Sequence, residues 1–203
     1  LQTFKKAVEE DVCGRAASVR EEIQFVLDRA DEAGAAIEMQ KAGKLPLRVT
    51  HNDTKLNNIM IDDETGEALC IIDLDTIMPG LSIFDFGDSI RFGANTAAED
   101  EPDYSLAGLS LSLFDIYTKG YLEGCKGSLT EEEVRMLPMG AKLMTYECGV
   151  RFLTDYLQGD VYFKITRENH NLDRCHTQFA LVADMEKKWD EMKAAVEKYA
   201  GKQ

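Results

Sequence analysis

The chain has 203 residues, 44% of them hydrophobic, which is enough for one globular domain with a buried core. Its 37 acidic residues outnumber 23 basic ones, giving a formal net charge of −14. A phosphate backbone meets a repelling field, so nucleic acid is not an expected partner, although a local basic pocket for a nucleotide is allowed. No apolar run approaches the roughly eighteen residues of a membrane span, and no charged-then-apolar leader opens the chain. Five dispersed cysteines (Cys13, Cys70, Cys125, Cys148 and Cys175) form no CxxC pair, which points to reduced thiols in a cytoplasmic protein. His51, His170 and His176 supply a zinc site poorly.

In chain order, residues 1 to about 42 read as helix, with Val19, Ile23, Val26 and Ala30 on one face. Gly43 and Pro46 end that pattern, and a β-like stretch, Leu47 to Thr50, runs into His51-Asn52-Asp53-Thr54-Lys55-Leu56-Asn57-Asn58. Two strand candidates follow, Ile59 to Ile61 and Ala68 to Ile72, and Asp62 to Gly66 between them has hairpin-turn residues. After Asp73 the chain loops through Pro79-Gly80, and from Ser82 onward it is helical again. Thr130 and Glu133 have capping-box spacing. A final helix carries a stripe from Leu172 through Phe179 and Trp189 to Tyr199 at steps of three and four, which reads as core packing. The acidic clusters around Asp62, Glu99 and Glu131 read as solvated turns and helix starts. The expected architecture is a single mainly α domain over residues 1–203, with one small β-hairpin element flanked by polar loops.

Those loops hold His51, Asp53, Lys55, Asn58, Asp73 and Asp75 beside apolar strands, which is costly unless the groups are paired or used. Phosphoryl transfer asks for a carboxylate to orient and deprotonate a hydroxyl, and for oxygen ligands to magnesium on the nucleotide phosphates. Asp53 can supply the carboxylate. Asn58, at the far end of the same loop, and Asp73, after the second strand, can supply metal ligands, because a hairpin brings its two ends together.

The pattern His51-x-Asp53-x-x-x-x-Asn58, a hairpin, then Ile72-Asp73 resembles the catalytic and metal-binding loops of the protein-kinase-like fold. It is most similar to the aminoglycoside phosphotransferase branch, which includes antibiotic, choline and sugar kinases. The resemblance implies ATP and Mg2+ as cofactors, Asp53 and Lys55 as catalytic residues, and Asn58 and Asp73 as metal ligands. Lys55 stands where antibiotic kinases often carry histidine, and resembles the protein-kinase lysine that neutralises charge on the transferring phosphate. Asp85-Phe86-Gly87 spells DFG literally, but it lies beyond the Pro79-Gly80 turn, and the resemblance makes Asp85 a brace of the catalytic loop. His51 is expected to support the loop structurally rather than act as a base. Asp75 either assists the metal or caps its loop.

Three segments resemble the N-acetylhexosamine 1-kinases: Val49 to Lys55, Asp73 to Gly80 and Glu147 to Phe163. That similarity implies transfer to the anomeric hydroxyl of GlcNAc or GalNAc, with Asp53, Asp73, Arg151 and Tyr162 contacting substrate. Read without it, Arg151 is better taken as a helix ion-pair residue and Tyr162 as ordinary packing. Kinases of this fold have an amino-terminal β-rich lobe, and only 52 mainly helical residues precede Asp53. Together with a first residue that is Leu1, this leads to the expectation of a C-terminal lobe cut from a longer enzyme, its N-terminal lobe missing and its own activity low. The alternatives are a kinase for another small alcohol (aminoglycoside, choline or homoserine type) and, more distantly, a mucin-directed sulfatase. The latter wants a C/S-x-P-x-R context that no cysteine here has; Cys13, for one, is followed by Gly14-Arg15.

Overall fold

The computed structural model describes residues 1–200. It is mainly helical with a small β-element in two sheets, the make-up of the C-terminal lobe of the kinase-like fold. Its contacts divide into two compact units: residues 1–35, 96–109 and 145–187 form one, and residues 36–95, 110–144 and those from 188 on form the other.

The first unit contains α1 (Gln2–Glu10), α2 (Arg20–Asp28), α7 (Leu137–Gln158) from Thr145 onward, and α8 (His170–Lys187). Its core gathers Phe4, Val26, Phe152, Leu153, Leu157, Cys175 and Val182. Phe25 stacks on Phe179 with ring centroids 4.4 Å apart. Burial pushes the Cys175 thiol well up, which keeps it an inert core group. The helical face through Val19, Ile23 and Val26 is therefore used as its periodicity implies, but the first forty residues are not one helix. Asp11 adopts a left-handed conformation (φ 36°), and its carboxylate accepts the main-chain N–H groups of Arg15 and Ala16, which stops α1.

The second unit carries the β-element. It holds β1 (Arg48–Thr50), β2 (Ile59–Ile61), β3 (Ala68–Ile71) and β4 (Met78–Gly80) with α3 (Ala35–Lys41, from Ala36), α4 (Ser82–Gly93), α5 (Leu111–Cys125), α6 (Glu131–Arg135), the start of α7, and α9 (Trp189–Ala200). β2 and β3 form the expected antiparallel hairpin, in which the Asp62 carboxylate accepts the N–H groups of Glu64 and Thr65. In β4 the Pro79-Gly80 pair by itself predicts a loop. The strand pairs antiparallel with β1, Val49 opposite Pro79, in a two-stranded edge where a missing N–H is tolerated. The terminal stripe likewise runs over two helices, α8 and α9, parted at Lys188 with neither glycine nor proline to mark the break.

Two devices fix α4 and β1 in this unit. Phe86 is fully buried, edge-on to Phe114 and Tyr121. A Cβ on Gly87 would stand 2.3 Å from the Gly140 carbonyl oxygen, and one on Gly140 would stand 2.2 Å from that of Ile83, so α4 and α7 touch backbone to backbone. The phenylalanine and glycine of the DFG triplet are thus packing residues of a helix. Glu133, 1% exposed, completes the capping box with Thr130 and takes a bidentate hold from Arg48 (2.9 and 2.7 Å) and a hydrogen bond from Ser82 (2.7 Å). Burial opposes its charge, but Arg48, the Thr130 N–H and Ser82 outweigh that and bring its pKa down to about 2.

Candidate active site

His51 to Asn58 leave β1 and pass, through one 3-10 turn at Leu56–Asn58, into β2. Two residues around this loop system adopt left-handed backbone, Asn52 (φ 64°) and Asp73 (φ 63°). Such conformations cost energy and persist only where neighbours hold them. Asp85 does much of the holding. Its two carboxylate oxygens accept the main-chain N–H groups of His51 and Asn52, each at 2.8 Å, and its carbonyl accepts the Thr54 hydroxyl at 2.6 Å.

His51 takes the Asp53 N–H on Nδ1 (3.3 Å) and faces the Ile72 carbonyl with Nε2 (3.0 Å). A carbonyl only accepts, so Nε2 carries the proton and neither ring nitrogen is left to act as a base. Three further contacts bind this loop to the one after β3: Asn52 Nδ2 to the Thr76 carbonyl (2.9 Å), the Thr76 hydroxyl to the His51 carbonyl (2.6 Å), and the Ile72 N–H to the Asn58 carbonyl (2.9 Å).

Asp53 is held at both carboxylate oxygens. Lys55 Nζ lies 3.1 Å from Oδ1, and Asn58 Nδ2 donates to Oδ2 at 2.9 Å and to the Asp53 carbonyl at 2.9 Å. Turning its amide nitrogen to Asp53 leaves Asn58 a carbonyl oxygen for another partner. Asp73 lies within hydrogen-bonding reach of Asp75, whose proximity raises its pKa; burial and the Asp53 charge add to this and Lys55 opposes it. Asp73, crowded by Asp75 at the end of the hairpin and within electrostatic reach of Asp53, and the amide oxygen that Asn58 keeps free of Asp53 are oxygen donors. That donor set fits magnesium, which takes one or two carboxylates and fills its sphere with water and phosphate oxygens. No group of three or more His, Cys, Asp or Glu side chains among the described residues is placed to hold a metal ion by itself.

The five loop residues singled out from the sequence (His51, Asp53, Lys55, Asn58 and Asp73) and their brace on α4, Asp85, are thus brought together within the second unit. Arg151 and Tyr162 are brought together in the first. The Arg151 guanidinium lies 5.7 Å from the Tyr162 ring centroid and 5.3 Å from that of Phe163, and pairs loosely with Glu147 at 3.8 Å. Tyr162 is 73% exposed, so it is not ordinary core packing. Sequence reasoning missed Asn52, Thr54, Thr76 and Ser89, whose hydroxyl donates to the Thr54 carbonyl. Asn52, Thr54 and Thr76 are turn residues by type, marked only by their nearness to Asp53 and Asp73 and by the segments that resemble known kinases; Ser89 lies within α4 and carries no such mark.

Residues 2–117, more than half of the chain, match the family described as "phosphotransferase enzyme family", APH. The chain belongs to this family. The match spans the loop from His51 to Asn58, the hairpin, Asp73 and Asp85, so the phosphotransferase is of the kinase-like type in the region that carries the candidate site. No described helix of the phosphotransferase is long and apolar enough to cross a membrane.

Proposed function

We propose that this phosphotransferase moves the γ-phosphoryl group of ATP to the anomeric hydroxyl of an N-acetylhexosamine, GlcNAc or GalNAc, giving the sugar 1-phosphate. The observation that carries the transfer chemistry is the grip on Asp53 at both oxygens, by Lys55 and by Asn58, beside the crowded Asp73. In this reading Asp53 accepts the proton of the sugar O1–H as O1 bonds to the γ-phosphorus. The bond from that phosphorus to the β,γ-bridging oxygen breaks, and ADP leaves with the electron pair. Lys55 orients Asp53 in the ground state and offsets charge on the phosphoryl oxygens during transfer. Magnesium, held by Asn58 and Asp73, would neutralise the phosphates. Asp85 and His51 keep the loop in the shape that this requires.

The acceptor class rests on the segment from Glu147 to Phe163 and on what Arg151 and Tyr162 can offer. A guanidinium presents paired planar donors to sugar oxygens, and an exposed phenol presents a ring face and a hydroxyl. Isothermal titration with GlcNAc, GalNAc and an aminoglycoside, alongside Arg151→Ala, tests it. Binding of the N-acetyl sugars that is lost in the variant supports the hexosamine reading. Binding of the aminoglycoside alone overturns the sugar assignment and moves the acceptor to another small alcohol.

A further inference from the structure

Between α7 and α8 the chain runs Gly159-Asp160-Val161-Tyr162-Phe163 with no sheet or helix to fix it. One buried carboxylate fixes it instead. Asp155, 3% exposed, accepts the N–H groups of Val161 (2.9 Å) and Tyr162 (2.8 Å) on Oδ1. Its Oδ2 accepts the Phe163 N–H (3.0 Å) and the Asn171 amide (2.9 Å). The same Asn171 nitrogen donates to Asp160 (2.9 Å), which Arg15 holds from its other side at 2.6 Å.

All four donors to Asp155 are uncharged N–H groups, and three are consecutive main-chain amides. A buried carboxylate is tolerable only when its lone pairs are met, and a segment whose amides meet them must wrap around it. The wrapping holds Val161 and Tyr162 outward, 76% and 73% exposed. An exposed valine and an exposed phenol side by side, on backbone held from within, present a fixed surface to a ligand.

We propose that Asp155 is a positioning residue for acceptor recognition: it sets the Val161–Phe163 backbone so that Tyr162 and Arg151 meet a pyranose ring in a fixed arrangement. This rests on the reading of Arg151 and Tyr162 as acceptor contacts. A loop ordered beforehand spares the sugar the entropy of ordering it on binding. Asparagine cannot substitute, because its NH2 would face the Phe163 N–H and the Asn171 amide, donor against donor.

The test uses Asp155→Asn, Asn171→Leu as a milder second variant, Tyr162→Ala, and Leu153→Ala as a core control. Amide hydrogen exchange and GlcNAc titration are read on each. Exchange over residues 159–165 should rise by at least about tenfold in Asp155→Asn, and less in Asn171→Leu, with the Asn52–Asn58 loop unchanged. GlcNAc affinity should fall about tenfold in Asp155→Asn, towards that of Tyr162→Ala. Leu153, fully buried, should on truncation lower Tm and leave both loop exchange and affinity unchanged. If neither Asp155→Asn nor Asn171→Leu alters exchange at 159–165, or if Leu153→Ala weakens sugar binding equally, the positioning role is overturned. Equal GlcNAc binding by Tyr162→Ala and the wild type overturns the acceptor reading instead, and exchange at 159–165 still decides whether Asp155 holds the loop.

Discussion

Replacing Asp85 by alanine removes both carboxylate oxygens that accept the His51 and Asn52 N–H groups, at 2.8 Å each. A hydrogen bond to a charged acceptor contributes about 1.5–3 kcal/mol. Asp85 is half-buried and water can reach part of the vacated space, so the lower end applies to each bond. The loss is about 3 kcal/mol, which for a chain of this size lowers Tm by roughly 6–12 °C. The Thr54 bond goes to the Asp85 main-chain carbonyl and survives the change. Urea denaturation should show the lower stability with an unchanged slope, and the amides of His51 and Asn52 should exchange faster. Stability within about 0.5 kcal/mol of the wild type, with those amides still protected, would refute the bracing role. It would also return the DFG aspartate to candidacy as the metal ligand.

Three further outcomes follow from named contacts. Glu133 has a folded pKa of about 2 against an ordinary 4.5, a difference of about 3 kcal/mol in favour of the folded state at neutral pH. Because the folded value is the lower one, that stability is present above about pH 4.5 and is lost as pH falls towards 2. The gap between the wild type and Glu133→Gln, read by denaturation from pH 7 down to 3.5, should therefore be widest at neutral pH and shrink below 4.5. Gly87→Ala and Gly140→Ala each drive a methyl into main-chain carbonyl and should cost about 3 kcal/mol by the same assay. Asp73→Asn relieves the crowding with Asp75, so it should leave Tm unchanged or slightly raised, unlike Asp85→Ala.

The β-hairpin, the capping box at Thr130 and the loop spacing around Asp53 were legible because each depends on residues near one another in sequence. The left-handed backbone at Asn52 and Asp73 was not, since neither is a glycine and each is held by contacts made after folding. β4 escaped notice because Pro79-Gly80 is turn chemistry in isolation and becomes a strand only by lying beside β1. The stripe from Leu172 to Tyr199 identified buried positions such as Phe179 and Met192 correctly, yet a helical period cannot reveal a break at Lys188 that keeps its phase. By type and position Asp155 is indistinguishable from any other acidic residue on a helix. Its role in the loop rests on three main-chain amides, which no side-chain pattern encodes.

The proposed function has Asn58 and Asp73 holding a divalent ion beside Asp53. Titration of manganese in the presence of ADP, with free ion counted by electron paramagnetic resonance, tests it most directly. Asp73→Asn and Asn58→Leu should each weaken binding at least about tenfold. Asp103→Asn, on an exposed acidic turn, should not change it. Undiminished manganese affinity in Asp73→Asn, or an equal loss in Asp103→Asn, would contradict the claim.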